Sequence, residues 1–425
     1  MGKNSKLGLA LALLLAGSMW FYVQHILIPH QRAEAALHGT PRGNLSDLYP
    51  RWLGARELLL HHRDPYSPEL TREIQIGYYG RELDAARPSD PKDQQGFAYP
   101  AFVVFLLAPT IGAPFPTVQS GFRWFLVALT AATVLLWLRT LRWRPSITVM
   151  AILIALTLGS FQVLQGIRLQ QLSLVVAGLI AGCALLLAEG YLAFAGIFLA
   201  LATIKPQLLL PLVGWLLLWA FSDWRHRQNL IWGFVVTIGV LFASAEYVLP
   251  GWIGRFRGAI TAYRQYDDGA GSVLDVLLTP EWGRLLAALI VVAFAVTAWK
   301  FRRASNDSNI FNLMFGLLLA ITVVIVPKAA PYNQILLLPA ILLLARHWHL
   351  LWHKNRMSRM LLMVCGLLIF WPWLAASTLT LASLRLPMDA IQKAWAWPMW
   401  TSFAIPLAVA VLLAVGFREF ARAEN

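Results

Sequence analysis

The stretch Asn44-Leu-Ser-Asp47-Leu-Tyr49-Pro-Arg-Trp-Leu-Gly-Ala-Arg-Glu-Leu-Leu-Leu-His-His-Arg-Asp64-Pro65-Tyr66 is polar in a chain that is otherwise mostly apolar. It forms the centre of a segment over residues 29–96, which follows one apolar run, residues 7–28, and precedes about a dozen more. Polar residues grouped in this way need water or a polar ligand, because lipid leaves their hydrogen bonds unsatisfied. We therefore predict that the segment is an outer loop that forms the roof of a functional site at a membrane surface.

The composition requires a lipid solvent. The 425-residue chain is 58% hydrophobic and only 13% charged, whereas a soluble domain has about 25% charged residues. A membrane-spanning helix needs about 20 mostly apolar residues, and many segments meet that need. Cys183 and Cys365 lie inside apolar runs, so the sequence contains no disulfide or metal framework.

The apolar runs predict an all-α polytopic membrane protein, one domain over residues 1–425 with about twelve spans. The predicted spans are residues 7–28, 117–138, 147–165, 172–188, 191–204, 207–221, 230–249, 285–299, 310–326, 335–345, 360–379 and 400–417. A first outer loop (29–96), core spans (97–249), a second outer loop (250–283) and C-terminal spans (284–425) follow from this division. A cleaved signal peptide is disfavoured at the N-terminus because the first apolar run continues well past the small residues Ala16-Gly17-Ser18.

Two shorter features complete the predicted architecture. The run 97–111 is short and contains Pro100 and Pro109, so we predict a re-entrant or surface segment that does not cross. Residues 51–60 have the periodicity of an amphipathic helix that lies on the membrane surface.

Basic residues collect on one side of the predicted topology. Sixteen of them are Lys3, Lys6, Arg139, Arg142, Arg144, Arg225, Arg227, Lys300, Arg302, Arg303, Arg346, Lys354, Arg356, Arg359, Arg418 and Arg422. Lys and Arg are enriched in cytoplasmic connections, which predicts a multi-pass protein of the cytoplasmic (inner) membrane with both termini inside and the two large loops outside. The same rule explains the net charge of +14 without a nucleic-acid partner.

Ionised residues from distant parts of the chain fall on the outer side. They are the carboxylates Asp47 and Asp64 and the cations Arg168, Lys205, Arg264 and Lys328. Attack on the anomeric carbon of a phosphate-activated sugar needs a base for the acceptor hydroxyl and cations for the leaving phosphate. An aspartate with its ordinary pKa of ~3.9 is ionised at neutral pH. We predict Asp47 as that base and the four cations as ligands of the donor phosphate.

The carboxylates also have structural interpretations. Asp47 precedes a predicted helix and would serve as an N-cap, and Asp64 before Pro65 is typical of a turn. Asp267 and Asp268 adjoin each other near Gly269, which favours a solvated turn over a cation site. No cofactor is predicted, and the need for a divalent metal stays open.

The cations have alternatives of the same kind. Arg168 and Lys205 would snorkel from helix ends, and Arg264 and Lys328 would bind lipid headgroups. Lys205 beside Pro206, between two short apolar runs, is better explained by a broken helix that faces a polar ligand.

Five short motifs occur in order over about three quarters of the chain. They are Asp47-Leu48-Tyr49 with Gly54-Ala55 and Asp64-Pro65-Tyr66; Phe97-Ala-Tyr99-Pro100; Gln170-Gln171-Leu-Ser-Leu; Ala195-Gly196-Ile197 leading into Ile204-Lys205-Pro206; and Tyr332-Asn333-Gln334-Ile-Leu-Leu-Leu-Pro339. With these motifs the chain resembles glycosyltransferase family 87, polytopic enzymes of the C-type fold that use polyprenyl-phosphate sugars.

The resemblance implies that Asp47 occupies the catalytic aspartate position and that a hexose, mannose in the best-known case, is transferred with inversion to a glycan or glycolipid. Further substrate contacts are implied at Asp64, Tyr66, Tyr99, Gln171, Tyr332, Asn333 and Gln334. The chain departs from many relatives at residues 330–334, which lack a His, and at Ala101, where a second proline is common.

Two other functional classes stay open on the sequence. A transporter or flippase of lipid-linked sugars would place polar residues near the midplane within repeats, whereas these spans carry almost no charge and show no repeat. A ligase or polymerase of surface polysaccharide also has large outer loops, but its donor would be a lipid-linked oligosaccharide.

Overall fold

The structure is a computed structural model that describes residues 3–40, 46–84, 86–91, 93–266, 271–327 and 329–422, without the side chains of residues 3, 4 and 264–266. All regular secondary structure in these ranges is helical, which agrees with the predicted all-α class. The described helices up to residue 221 are α1 Lys3–Tyr22, α2 Ile28–Leu37, α3 Tyr49–His61, α4 Pro68–Tyr79, α5 Val103–Leu107, α6 Phe115–Thr140, α7 Ile147–Leu158, α8 Phe161–Arg168, α9 Leu172–Ala188, α10 Leu192–Leu201 and α11 Pro206–Phe221.

The remaining described helices are α12 Trp224–Val248, α13 Trp252–Tyr266, α14 Val273–Leu277, α15 Pro280–Lys300, α16 Asn309–Ile325, α17 Leu338–Lys354, α18 Arg356–Ala382, α19 Met388–Gln392, α20 Ala404–Val415 and α21 Phe417–Arg422. A π-helical turn, Val23–Leu27, joins α1 to α2. Short 3-10 turns occur at Ala108–Thr110, Ala202–Ile204, Pro331–Leu337 and Trp397–Met399.

Many of these helices are built for a bilayer, so the chain is a polytopic membrane protein. Within the described ranges, seven helical segments are long and apolar enough to cross: Ser5–Leu37, Phe115–Thr140, Trp224–Val248, Pro280–Lys300, Pro331–Lys354, Arg356–Ala382 and Met388–Val415. The bent pair α7–α8 and four shorter apolar segments accompany them. A total of twelve requires that the pair and all four shorter segments also cross, and it stays a prediction.

The first span extends further than the sequence predicts. The helix continues through the turn Val23–Leu27 and ends at Leu37, so the loop begins after Leu37 and not at residue 29. Pro29 does not stop it: it is the second residue of α2 and follows directly on the π-helical turn Val23–Leu27.

The predicted span 147–165 is wrong as a single straight helix. It breaks between α7 and α8 with a bend of 58°. Gly159 lies at the break, where an added Cβ would be 2.3 Å from the Cβ of Ala16 in α1, and Ser160 caps α8 by accepting from the Val163 N–H at 3.3 Å. Close approach of α1 therefore coincides with a new helix start.

The predicted surface helix is present as α3, and its apolar side packs on the protein itself. Trp52 lies 5.2 Å from Phe115 between ring centroids and donates from its indole nitrogen to the Thr110 carbonyl at 3.3 Å. Residues 97–111, which contact this helix, contain only the five-residue α5 and a 3-10 turn. A helix of that length reaches about 8 Å, well short of a core of about 30 Å; that the segment does not cross stays a prediction.

The long helix α6 separates two ends of the molecule. At its start Phe115 contacts Tyr49 of α3, with 4.9 Å between ring centroids, and at its other end Arg139 pairs with Glu189 at 2.6 Å. Its 26 residues span about 39 Å. We call these the loop end and the basic end. The ion pair between Asp64 and Arg255 of α13 brings both predicted outer loops to the loop end.

Gly54 permits the contact between α3 and the following segment. An added Cβ would lie 2.4 Å from Cδ2 of Phe97, whereas at Gly258 of α13 it would meet nothing within 4 Å. We expect Gly54→Ala to destabilise the protein by about 1–3 kcal/mol through overpacking. Gly258→Ala should be neutral or slightly stabilising, since Ala favours helix. Thermal unfolding in detergent measures both, and equal midpoints for the two variants would contradict this packing.

Candidate active site

The backbone around Asp47 is fastened to the turn between α8 and α9. The Asp47 N–H donates to the Leu169 carbonyl at 2.9 Å, and the Ser46 hydroxyl donates to the side-chain oxygen of Gln170 at 2.6 Å. The Ser46 hydroxyl also accepts from the Leu48 N–H at 3.2 Å. Leu48 is the N-cap of α3 and no side chain caps it, so the Asp47 carboxylate is not used as a helix cap.

The Asp47 carboxylate accepts hydrogen bonds at both oxygens. Oδ1 accepts from the Tyr78 hydroxyl at 3.1 Å, and Oδ2 accepts from the side-chain amide of Gln171. Tyr78 is on α4 and Gln171 precedes α9, so the first loop and the helical core each supply one donor. The carboxylate is therefore fixed in orientation while the side chain keeps some accessible surface.

Lys205 extends this network away from Asp47. Its ammonium donates to Oε1 of Gln171 at 2.9 Å and to the Ser173 hydroxyl at 2.8 Å, and Ser173 donates to Oδ1 of Asn333 at 2.7 Å. Lys205 is only 5% exposed and lies between the 3-10 turn Ala202–Ile204 and α11. The predicted helix break at Lys205 is present, and a burial this deep is not snorkelling; that the break faces a polar ligand stays a prediction.

Arg51 places a second cation beside the carboxylate. It lies one helical turn after Asp47, donates to the Asp47 carbonyl, and stacks on the Tyr99 ring at 4.6 Å from the centroid. Its Nε is buried and has no hydrogen-bond partner among the described residues. The ring of Tyr332 lies 5.2 Å from the Lys205 ammonium. The site thus combines two cations and two aromatic rings with one carboxylate.

Burial changes the proton affinity of Asp47. Loss of hydration raises the pKa of the Asp47 carboxyl above its ordinary value, the positive charge of Arg51 lowers it, and the negative charge of Asp93 raises it again. The Tyr78 hydrogen bond and the charge of Lys205 also lower the pKa, but the net shift is upward. Asp47 is consequently a stronger base than the ordinary aspartate assumed from the sequence.

Other predicted site residues lie around this network. Arg168 donates to Oε1 of Gln31 at 2.6 Å, and its charge interacts with that of Asp47. Tyr66 donates from its hydroxyl to the Tyr99 carbonyl at 2.6 Å, which supports the wall of the site.

Asp64 and Gln334 have partners elsewhere. Asp64 accepts from the Tyr66 N–H at 2.9 Å, as expected if it forms a turn. It also accepts from Arg255. Gln334 donates to the Ser402 carbonyl at 2.6 Å and accepts from Gln162 at 3.1 Å.

Several predicted residues lie outside what the structure describes. Lys328, Asp267 and Asp268 fall in gaps of the described ranges, and the side chain of Arg264 is likewise not described. Among the residues that the structure describes, no group of three or more His, Cys, Asp or Glu is arranged to hold a metal ion.

Four residues of this network were not predicted from the sequence: Arg51, Tyr78 and Asp93 near the carboxylate, and Ser173 beside Lys205. Arg51 had a readable signal, because a cation four residues after Asp47 at a helix start lies one turn away. Ser173 also had a signal, because it belongs to the same motif as Gln171 and lies only two positions after it. Tyr78 and Asp93 carry no local signal, since they reach Asp47 only through the fold of the loop.

An apolar cavity of about 320 Å³ lies among the helices, and its lining includes Gln334, the residue that follows Asn333. It is enclosed by α7, α17, α18 and α20, and the polar side chains at its margin include Gln162 and Gln334. Gln162 is the second residue of α8, which ends about 9 Å further along at Arg168, and Gln334 adjoins Asn333 in sequence. The helix α8 and the turn Pro331–Leu337 therefore each contribute residues both to the cavity lining and to the surroundings of the carboxylate network.

The sequence profile of glycosyltransferase family 87 matches residues 97–327, which is more than half of the chain. Gln171 and Lys205 lie inside the match, whereas Asp47 precedes it and Tyr332 follows it. No curated protein and no solved structure gave a match.

The raised pKa of Asp47 has a consequence for stability. A carboxyl whose pKa is higher in the folded chain than in the unfolded chain destabilises the fold as pH rises through that range. We expect Asp47→Asn, which can still accept from Gln171 and donate to Tyr78, to raise the unfolding midpoint at neutral pH. The gain should shrink in acid, where Asp47 is protonated.

The matched control for that measurement is Asp64→Asn. It removes the ion pair with Arg255, which is worth about 0.2–1 kcal/mol at a partly exposed site, so its midpoint should fall slightly. If the two variants shifted the midpoint in the same direction across the pH range, the assigned burial of Asp47 would be wrong.

Proposed function

The chain belongs to glycosyltransferase family 87, and from this premise we propose that it transfers a mannose-like hexose from a polyprenyl-phosphate donor to a glycan or glycolipid acceptor on the outer face of the cytoplasmic membrane. The observation that carries the proposal is the hydrogen-bonded sequence from the Asp47 carboxylate through Gln171 to the Lys205 ammonium. It joins a carboxylate suited to act as the base and a cation suited to bind phosphate in one hydrogen-bonded unit.

The reaction is a single displacement. The acceptor hydroxyl oxygen attacks the anomeric carbon, its proton passes to the Asp47 carboxylate, and the bond from that carbon to the phosphate oxygen breaks. The polyprenyl phosphate leaves with the bonding electrons and needs no proton. Attack opposite to the leaving group inverts the anomeric centre. A raised pKa of the Asp47 carboxyl favours this role, because a general base works best when its pKa approaches the working pH.

Cations stabilise the charge that develops on the leaving phosphate. Lys205 is held by two neutral oxygen acceptors and retains its full positive charge for a third partner. Arg51 offers its unpaired Nε, a donor suited to a phosphate oxygen. Arg168 supplies a further positive charge within electrostatic range of Asp47. Arg51 is thus a third candidate for binding the phosphate, in addition to Arg168 and Lys205, which the sequence predicts.

The apolar cavity supports the choice of a prenyl donor over a nucleotide sugar. Its lining is mostly aliphatic and aromatic, with a few polar side chains at the margin, which suits isoprene units better than a base or ribose. We assign the prenyl chain to this cavity and the phosphate to the network beyond Gln162 and Gln334.

The outer face follows from the distribution of charge. The candidate site is at the loop end, and Arg139, Arg302, Lys354 and Arg418 are at the basic end. Basic ends of membrane proteins face the cytoplasm, so the loop end faces outward. Membership of a glycosyltransferase family disfavours the transporter alternative, and no observation favours a polysaccharide ligase.

The first test concerns the base. We expect Asp47→Asn to lower the turnover of a purified polyprenyl-phosphate hexose by roughly 10²–10⁴-fold, the usual contribution of a general base. The dissociation constant of the donor should stay within about threefold, because the amide preserves the hydrogen bonds. Asp64→Asn is the control, with nearly normal turnover. Normal turnover by the Asp47→Asn protein would remove Asp47 from catalysis.

The second test concerns the cavity. Gly366 of α18 lines it, and an added Cβ there meets nothing within 4 Å. We expect Gly366→Leu to fill the cavity and to raise KM about tenfold for a long-chain donor, but little for a donor with two isoprene units.

Gly239→Leu provides the control for the cavity. Gly239 is an exposed glycine of α12 with equally open surroundings, and it lies outside the cavity lining. Equal KM changes for the Gly366 and Gly239 variants, or equal changes for both chain lengths, would place the prenyl chain elsewhere.

A further inference from the structure

A second cavity lies at the basic end, far from the carboxylate network. It has a volume of about 430 Å³ and is bounded by α15, α16, α20 and α21. Lys300, Arg418 and Arg422 line it together with apolar side chains that include Ile310, Leu317 and Phe417. Three positive charges and an apolar surface thus meet in one hollow at a helix end.

The carboxylates at this end of the described chain already have cationic partners. The pairs are Glu189 with Arg139 at 2.6 Å, Asp223 with Arg227 at 3.8 Å, Asp307 with Arg142 at 3.5 Å and Glu419 with Lys354 at 2.9 Å. None of these ion pairs involves a cation of the cavity.

The three cavity cations therefore lack a dedicated counter-charge among the described residues. Lys300 has only a ring contact, 5.5 Å from the centroid of Phe301. Arg422 feels the charge of Glu419, but the hydrogen bond of that carboxylate goes to Lys354. Three like charges around one hollow repel each other, and the low dielectric beside a bilayer increases that repulsion. An anion from outside the chain would relieve it.

We propose that this cavity binds an anionic phospholipid of the leaflet at the basic end, of the phosphatidylglycerol or cardiolipin type. The phosphate lies among Lys300, Arg418 and Arg422, and an acyl chain follows Ile310 and Leu317 of α16. A zwitterionic headgroup is disfavoured because no carboxylate is among the described residues that line the cavity to receive its ammonium. A free phosphate ion is disfavoured because it would leave the apolar lining without a partner. Basic pockets between spanning helices recognise such lipids.

The bound lipid would connect parts of the chain that otherwise touch little. The side chains of α15 are mostly exposed, with only Gly283 and Ala298 buried, and the C-terminal α21 is six residues long. A phosphate that bridges Lys300 to Arg418 joins these two helices at their basic ends. The lipid is therefore expected to stabilise the fold independently of any transfer reaction.

The test uses the full-length protein in detergent. Dioleoyl phosphatidylglycerol, dioleoyl phosphatidylcholine and inorganic phosphate are titrated separately, while native mass spectrometry counts bound lipid and thermal unfolding reports stabilisation. The cavity variant is the triple substitution Lys300→Gln, Arg418→Gln, Arg422→Gln. The matched control is Arg225→Gln, Arg303→Gln, Arg356→Gln, which removes the same charge from exposed positions at the same end outside the cavity.

We expect phosphatidylglycerol to bind and stabilise the unsubstituted protein and the control equally, and to bind the cavity variant about tenfold more weakly. Phosphatidylcholine and inorganic phosphate should stabilise none of them comparably. Equal binding to both triple variants would show attraction by overall charge alone and overturn the proposal, as would a full effect of inorganic phosphate. If the cavity variant fails to fold, the single substitution Arg418→Gln should weaken phosphatidylglycerol binding about threefold. Unchanged binding by that single variant would contradict the site.

Discussion

A single neutral amide separates the two opposite charges at the centre of the candidate site. Gln171 accepts from the Lys205 ammonium at one end and donates to the Asp47 carboxylate at the other. A direct ion pair between the two groups would be stronger in a low dielectric, but it would also lower the pKa of the carboxyl and weaken it as a base. The intervening amide keeps both charges oriented while leaving the carboxylate basic and the ammonium available to a phosphate.

The position of Gln171 depends on its neighbour. Gln170 has a φ of 49°, in the left-handed region that few residues other than glycine adopt. Its side chain accepts from Ser46 and donates to the carbonyls of Ile167 and Arg168 at 2.6 and 2.7 Å. The local hydrogen bonds offset the strained backbone. The two consecutive glutamines therefore have different roles. Gln170 holds the first loop to the turn between α8 and α9, and Gln171 orients the Asp47 carboxylate and the Lys205 ammonium.

The sequence was sufficient for the helical class and for some parts of this arrangement. Hydropathy reports which segments prefer lipid, and residue order then grouped Asp47 and Lys205 on one side. It could not report the break at Gly159 or the continuation of the first helix past Pro29, because both depend on how helices approach each other. The roles of Tyr78 and Asp93 were equally hidden. Contacts set by the path of a loop leave no periodic pattern in the chain.

The two ends of the molecule show how one kind of recognition can serve two purposes. Each end combines cations with an adjoining apolar cavity, which is the chemistry of a lipid phosphate. At the basic end the neighbouring described carboxylates are paired with other cations. A lipid phosphate bound there would be attracted by the cavity cations, and no free base would be beside it. At the loop end a buried carboxylate faces the same space as Lys205 and Arg51, and burial raises its proton affinity. In the reaction we propose, the base lies beside the donor phosphate, so that an incoming hydroxyl can lose its proton there as the phosphate leaves.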